Sequence, residues 1–101
     1  ASDVYKRQVE EAVSVGSLVR LFEFEKSDAV VVEITLDDRS PAIGRSLADI
    51  DLPHDVAVVA IVRESNLSRP SDEIVLRAND EVLLLASPSS EEAIQRALGA
   101  P

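Results

Sequence analysis

No cysteine, methionine or tryptophan occurs in these 101 residues, and the aromatic side chains amount to one Tyr and two Phe. Without cysteine there is no disulfide framework, no thiolate nucleophile and no Cys-based metal site, which fits a reducing cytoplasm. With so few aromatics, Val, Ile, Leu and Ala must build the core. Histidine occurs once, at His54, so a nucleophile–base–orienter arrangement has a single imidazole to draw on. The three glycines, Gly16, Gly44 and Gly99, stand far apart, and neither a dinucleotide-binding fingerprint nor a phosphate-binding P-loop can be assembled from them. No apolar run approaches the ~20 residues of a membrane span, and no signal-peptide pattern opens the chain. Direct membrane insertion is therefore not expected, and neither is an enzyme.

What is present is acid. Lys and Arg number 10 against 19 Asp and Glu, a net charge of −9. Nucleic acid is a poor partner for such a chain, because its phosphates would meet like charge. The charge keeps a surface solvated and soluble. A divalent-cation site would require carboxylates converging in space, which runs such as Asp37-Asp38 and Glu91-Glu92 do not establish. At 46% apolar, the chain has the composition of one globular domain with one core.

Residues 3–21 read as a helix, since Val9, Ala12, Val13, Gly16 and Val19 recur at spacings of three and four. The period then shortens. Phe22 and Phe24 alternate with Glu23 and Glu25, and after the turn Lys26-Ser27-Asp28 the run 29–36 places Val30, Val32, Ile34 and Leu36 on one face, which makes a hairpin. Ser40 or Pro41 starts a short helix carrying Ile43, Leu47 and Ile50 inward, stopped by Pro53. The continuous apolar run 56–62 reads as a strand buried on both faces. Ser65-Asn66 turns it into a short edge strand that Pro70 ends. Residues 72–78 are irregular, with Ile74 and Leu76 as core plugs. Asn79-Asp80 is a turn before the last strand, 81–86, and Ser89 or Ser90 caps a terminal helix with Glu91 and Glu92 in its first turn. The fold class is α+β: a small mixed β-sheet, a short helix after the first long strand, a C-terminal helix and an N-terminal connector helix.

Basic residues that interrupt an acidic chain are the candidates for ligand contact. Arg45 follows Gly44, Arg63 ends the most apolar strand, and Arg69 precedes Pro70. Two arginines on neighbouring strands could fork onto a phosphate or carboxylate; the plainer alternative pairs them with Glu64, Asp72 or Glu73 at the strand ends. His54, with Asp55 beside it, joins them as a pH-sensitive group or as an ordinary loop histidine. No spacing singles out a catalytic carboxylate pair or a metal-ligand set.

The ordered segments Val32-Glu33-Ile34, Ser40-Pro41-Ala42-Ile43-Gly44-Arg45-Ser46-Leu47, Leu52-Pro53 and Val59-Ala60-Ile61-Val62-Arg63 resemble the RCK C-terminal (TrkA-C) domain, a family that regulates potassium channels and transporters. Pro70, Leu76, Asn79-Asp80-Glu81 and the apolar strand after them continue the resemblance, which spans about residues 30–98. Asn79 stands where the family usually has Gly, and Asn is the residue other than Gly best able to take a left-handed turn. The division implied is a connector helix and first hairpin strand over 1–28 and a regulatory domain over 29–101. Such a domain implies a homodimer, a potassium channel or transporter membrane subunit as partner, and a cytoplasmic place at the inner face of the membrane held through that partner. Ligand in the dimer cleft would shift the assembly. Some members bind cyclic di-AMP through an arginine and an asparagine where this chain has Pro53 and Ala57, so that ligand is not implied here. NAD(H) or an adenine nucleotide would bind a Rossmann-like domain absent from these residues, which makes the chain read as a fragment; no cofactor is expected within it. The alternative function is a free-standing acidic protein-interaction module of the same fold with no transport role.

Overall fold

Density of β-branched residues sets the framework. The computed structural model describes residues 14–15 and 18–100. They form β1 (Ser14–Val15), β2 (Leu18–Glu23), β3 (Val30–Thr35), β4 (Ala57–Arg63), β5 (Asn66–Ser68), β6 (Glu81–Ala86) and helix α1 (Glu91–Leu98), with 3-10 turns at Leu47–Asp49 and Pro88–Ser90. The strands lie in the order β1-β2-β3-β6-β4-β5. The α+β class is as expected, but every pairing among the described residues is antiparallel, so the sheet is not mixed. β3 and β4 run in the same direction, and a parallel ladder would need them adjacent. Instead β6 enters between them, antiparallel to both.

The expected N-terminal helix is corrected where it can be seen. Ser14–Val15 and the first residues of β2 are strand; residues 3–13, 16 and 17 of that expectation lie outside the described residues. Leu18 and Val19 suit either period, and the decision falls to β3, whose edge offers backbone groups that need partners. Pairing Leu18 with Ile34 buries both completely. The hairpin expected around Lys26-Ser27-Asp28 forms, closed by Phe24 N–H donating to the Ala29 carbonyl at 3.0 Å.

One face of the sheet holds the core. Val30, Val32 and Ile34 of β3, Val82 and Leu84 of β6, and Ile61 of β4 pack beneath Ile94 and Leu98 of α1, with Leu36, Ala42, Ile50 and Leu76 contributed by irregular segments. Each fully buried aliphatic side chain contributes about 1.5–3 kcal/mol, which lets a core without aromatics suffice. The short helix expected after β3 shrinks to turns and the 3-10 turn. Its N–H groups are spent elsewhere: Gly44 N–H donates to Leu76 O (2.9 Å) and Leu47 N–H to Ile74 O (2.8 Å), while Arg45 O accepts from Leu76 N–H (3.0 Å). Gly44, at φ 83°, makes the reversal that this ladder requires.

Two serines expected as helix caps do other work. Ser40 Oγ donates to the Leu98 carbonyl at 2.6 Å, satisfying a group at the far end of α1. Ser90 Oγ donates to the Asp55 carboxylate at 3.0 Å, tying the start of α1 to the loop before β4, and no side chain caps the helix. Asn79 takes the left-handed conformation anticipated for it, at φ 71°.

Candidate functional site

The opposite face of the sheet has no covering layer in the described residues. Register places Ala57, Leu85, Val31 and Phe22 in one row across β4, β6, β3 and β2. Beside it run Ala60, Leu83, Glu33 and Val19, and then Leu67, Val62, Glu81 and Thr35. Phe22 is 57% exposed and Leu67 74%, and Val59, at the bulge of β4, is 52% exposed. The strand expected to be buried on both faces is therefore buried on one. Glu33 sits among these apolar rows, and burial, with repulsion from Glu81, raises its pKa above the ordinary glutamate value.

On the core side, two arginines are neutralised by carboxylates far away in sequence. Arg63, on β4, forks onto Asp80: Nε donates to Oδ1 and Nη2 to Oδ2, each at 2.8 Å. Its Nη2 also donates to Val75 O (2.8 Å), and Arg77 N–H donates to Asp80 Oδ2 (2.9 Å). Burial resists ionisation of Asp80, but the Arg63 hydrogen bonds and the Arg77 N–H outweigh it and hold the carboxyl below the ordinary value. The partner is none of Glu64, Asp72 or Glu73. Arg20 on β2 meets Glu91, the first residue of α1, through Nε (3.0 Å) and Nη2 (2.6 Å), and reaches Glu23 through Nη1 (3.0 Å). A bulge between Arg20 and Phe22 makes this possible by turning Arg20 and Glu23 to the core side together. Sequence reasoning missed Asp80, Arg20 and Glu91 as ion-pair partners, since each pairing depends on strand order.

The four candidate ligand contacts fall in different places. Arg63 is committed to Asp80. His54 is exposed in the loop before β4, beside Asp55, whose carboxyl is held below the ordinary aspartate pKa chiefly by hydrogen bonds from Ser87 and Ser90. Arg69 is exposed after β5. Arg45 alone lines a sizeable groove, about 440 Å³, between residues 41–53 and α1, which is also lined by a residue the sequence did not single out, Arg96. Among the described residues no group of three or more His, Cys, Asp or Glu side chains is placed to hold a metal ion, and no helix is long and apolar enough to cross a membrane.

A family model for the TrkA-C domain matches residues 31–99. The chain belongs to the TrkA-C domain family. It is 41% identical over 90 residues to the Trk system potassium uptake protein TrkA of Mycobacterium tuberculosis (strain CDC 1551 / Oshkosh), covering 89% of this chain and 41% of that protein. A Trk system potassium uptake protein TrkA homolog of Archaeoglobus fulgidus is 25% identical over 89 residues, covering 88% of this chain and 20% of the relative. The chain thus spans about two fifths of the first relative's length and one fifth of the second's. Among solved structures, the GsuK RCK domain superposes with a TM-score of 0.73 at 18% identity, covering 97% of this chain and 22% of that one, a likeness of fold. The TrkA-C match begins inside β3, while β2 is hydrogen-bonded into the same sheet ahead of it.

Proposed function

We propose that this TrkA-C chain is a regulatory, dimer-forming, non-catalytic cytoplasmic domain of a potassium channel or transporter subunit, acting through ligand-dependent assembly beside a membrane partner. The family membership and the names of the potassium-uptake relatives support the transport setting. The observation that carries the dimer is an apolar face that no other described residue covers: Phe22, Val31, Leu83, Leu85 and Leu67 lie in register on it, and a second copy would remove them from water. Such a domain regulates only if its ligand binds two arrangements of the dimer with different affinity. A nicotinamide or adenine nucleotide would bind a Rossmann-like domain and not these residues.

Light scattering after size exclusion tests the reading. The chain should elute at twice its 10.9 kDa at micromolar concentration, and Leu85→Glu, at the middle of the apolar row, should give a folded monomer. A wild-type chain that stays monomeric across the micromolar range overturns the dimer.

A further inference from the structure

We propose that the groove between residues 41–53 and α1 binds a small organic anion, a carboxylate or phosphate on an apolar body, held by Arg45 and Arg96. The site lies on the helix side of the sheet and does not depend on the dimer reading. Arg20, Arg39 and Arg63 each face a carboxylate within 4 Å, in keeping with a chain of 19 acidic residues. Arg45, Arg69, Arg77 and Arg96 do not, and of these four Arg45 and Arg96 are the two that line one hollow. Arg45 spends one Nη2 donor on the Asp49 carbonyl (2.7 Å), and its backbone is pinned on both sides, by Ala42 O (3.1 Å) and Leu76 N–H (3.0 Å). That fixes the root of the side chain and leaves most of its donors open. The Arg96 side chain has no hydrogen-bond or ion-pair partner among the described residues.

Two arginines from separate elements thus border one hollow, with Asp51 as the single acidic residue that lines it. The Asp49 carboxylate is held by Ser46 Oγ at 3.0 Å. Ile50, Leu52 and Ala97 supply apolar wall, and the volume, about 440 Å³, lies within the roughly 300–1,000 Å³ of small-molecule sites. A second hollow shares Pro41 and Arg96 and is bordered by Gly99 and Ala100, so an apolar body has room to extend past the arginine. Guanidinium forks match the planar carboxylate and the phosphate alike. The net charge of −9 repels anions from the rest of the surface, which favours occupancy here over diffuse binding.

The test is a titration of the full 101-residue chain at low ionic strength, followed by ¹H–¹⁵N correlation spectra that include the arginine Nε–H groups. The probes are phenyl phosphate, benzoate, inorganic phosphate and, as the neutral control, phenol. Saturable shifts confined to residues 49–53, 93–98 and the two Nε–H groups are expected with phenyl phosphate or benzoate, and whichever binds tighter identifies the head group. Arg45→Gln and Arg96→Gln should each weaken binding at least 5-fold, and the double variant should abolish it; both side chains are exposed, so the amide spectrum should otherwise hold. Shifts that never saturate, equal binding by the double variant, or binding of inorganic phosphate or phenol as tight as that of phenyl phosphate and benzoate would overturn the site. Light scattering on the same samples reads the dimer separately, so the two ideas can fail independently.

Discussion

Replacing Arg63 with Met strands a carboxylate. The Asp80 side chain is 1% exposed and accepts three hydrogen bonds, two from Arg63 at 2.8 Å and one from Arg77 N–H at 2.9 Å. In the variant only the backbone donor remains. Removing one partner of a buried ion pair costs about 3–5 kcal/mol. Arg63 is itself 26% exposed, so water can re-enter beside Asp80, and the lower end, about 3 kcal/mol, is expected. For a chain of this length that corresponds to a fall in melting temperature of about 12–24 °C. Asp80→Asn should cost less, about 2 kcal/mol, because the amide oxygen still accepts from Arg77 N–H while Arg63 turns toward solvent. The decisive quantity is the double variant. If the pair acts as a unit, Arg63→Met with Asp80→Asn costs less than the two singles summed, by at least about 1 kcal/mol. Urea denaturation followed by circular dichroism at pH 7 measures all four species. The pH dependence gives an independent check. Asp80 is ionised in the fold below the ordinary 3.8, so its contribution is complete above the unfolded value and is lost as pH falls through the lower folded one. The wild type should therefore lose stability on the acid side where Asp80→Asn loses less. Additive single costs, within about 0.5 kcal/mol, or acid limbs of equal slope, would refute the reasoning.

Glu91→Ala should cost about 3 kcal/mol by leaving Arg20 largely buried with only the exposed Glu23, and should speed amide exchange in β2; changing both Arg20 and Glu91 to Leu should recover more than half of that loss. Glu33→Gln should stabilise the chain at pH 7, by less than about 1 kcal/mol because solvent still reaches the carboxylate. Its raised pKa means that the ionised form opposes folding, so the gain should be full at neutral pH and fade as pH falls through the folded pKa toward 4.5, a trend thermal melts across that range would expose.

Strands with unambiguous period two could be read from sequence because the signal is local. β6 occupies the residues expected for it, and Val30, Val32 and Ile34 are buried as their alternation requires. The Asn79 turn was legible for the same reason: left-handed backbone favours a short list of residue types wherever it occurs. Residues 14–15 and 18–21 were misread because their apolar spacing satisfies two periods at once, and an edge that only the folded β3 provides chose between them. The 41–53 segment was misread as helix for a related reason, since residues 74–76 claim the N–H groups a helix would use.

Ion pairs and grooves sit one level further from the sequence. Arg63 reaches Asp80 across 17 residues because β6 enters beside β4; had β4 paired with β3, the nearest carboxylates would have been different ones. Likewise Arg45 and Arg96 share a groove only because Gly44 reverses the chain and the ladder to residues 74–76 holds residues 41–53 against α1. No spacing in the sequence encodes that meeting. The same dependence explains why the two arginines differ in kind from Arg63. Strand register matched Arg63 to a carboxylate and closed its valence, whereas the loop that carries Arg45 and the helix that carries Arg96 bring together two cations and one exposed Asp51. A fold this acidic has ample carboxylates to neutralise both. That it leaves them in a concave, partly apolar place is the reason to look there for an anion supplied from outside.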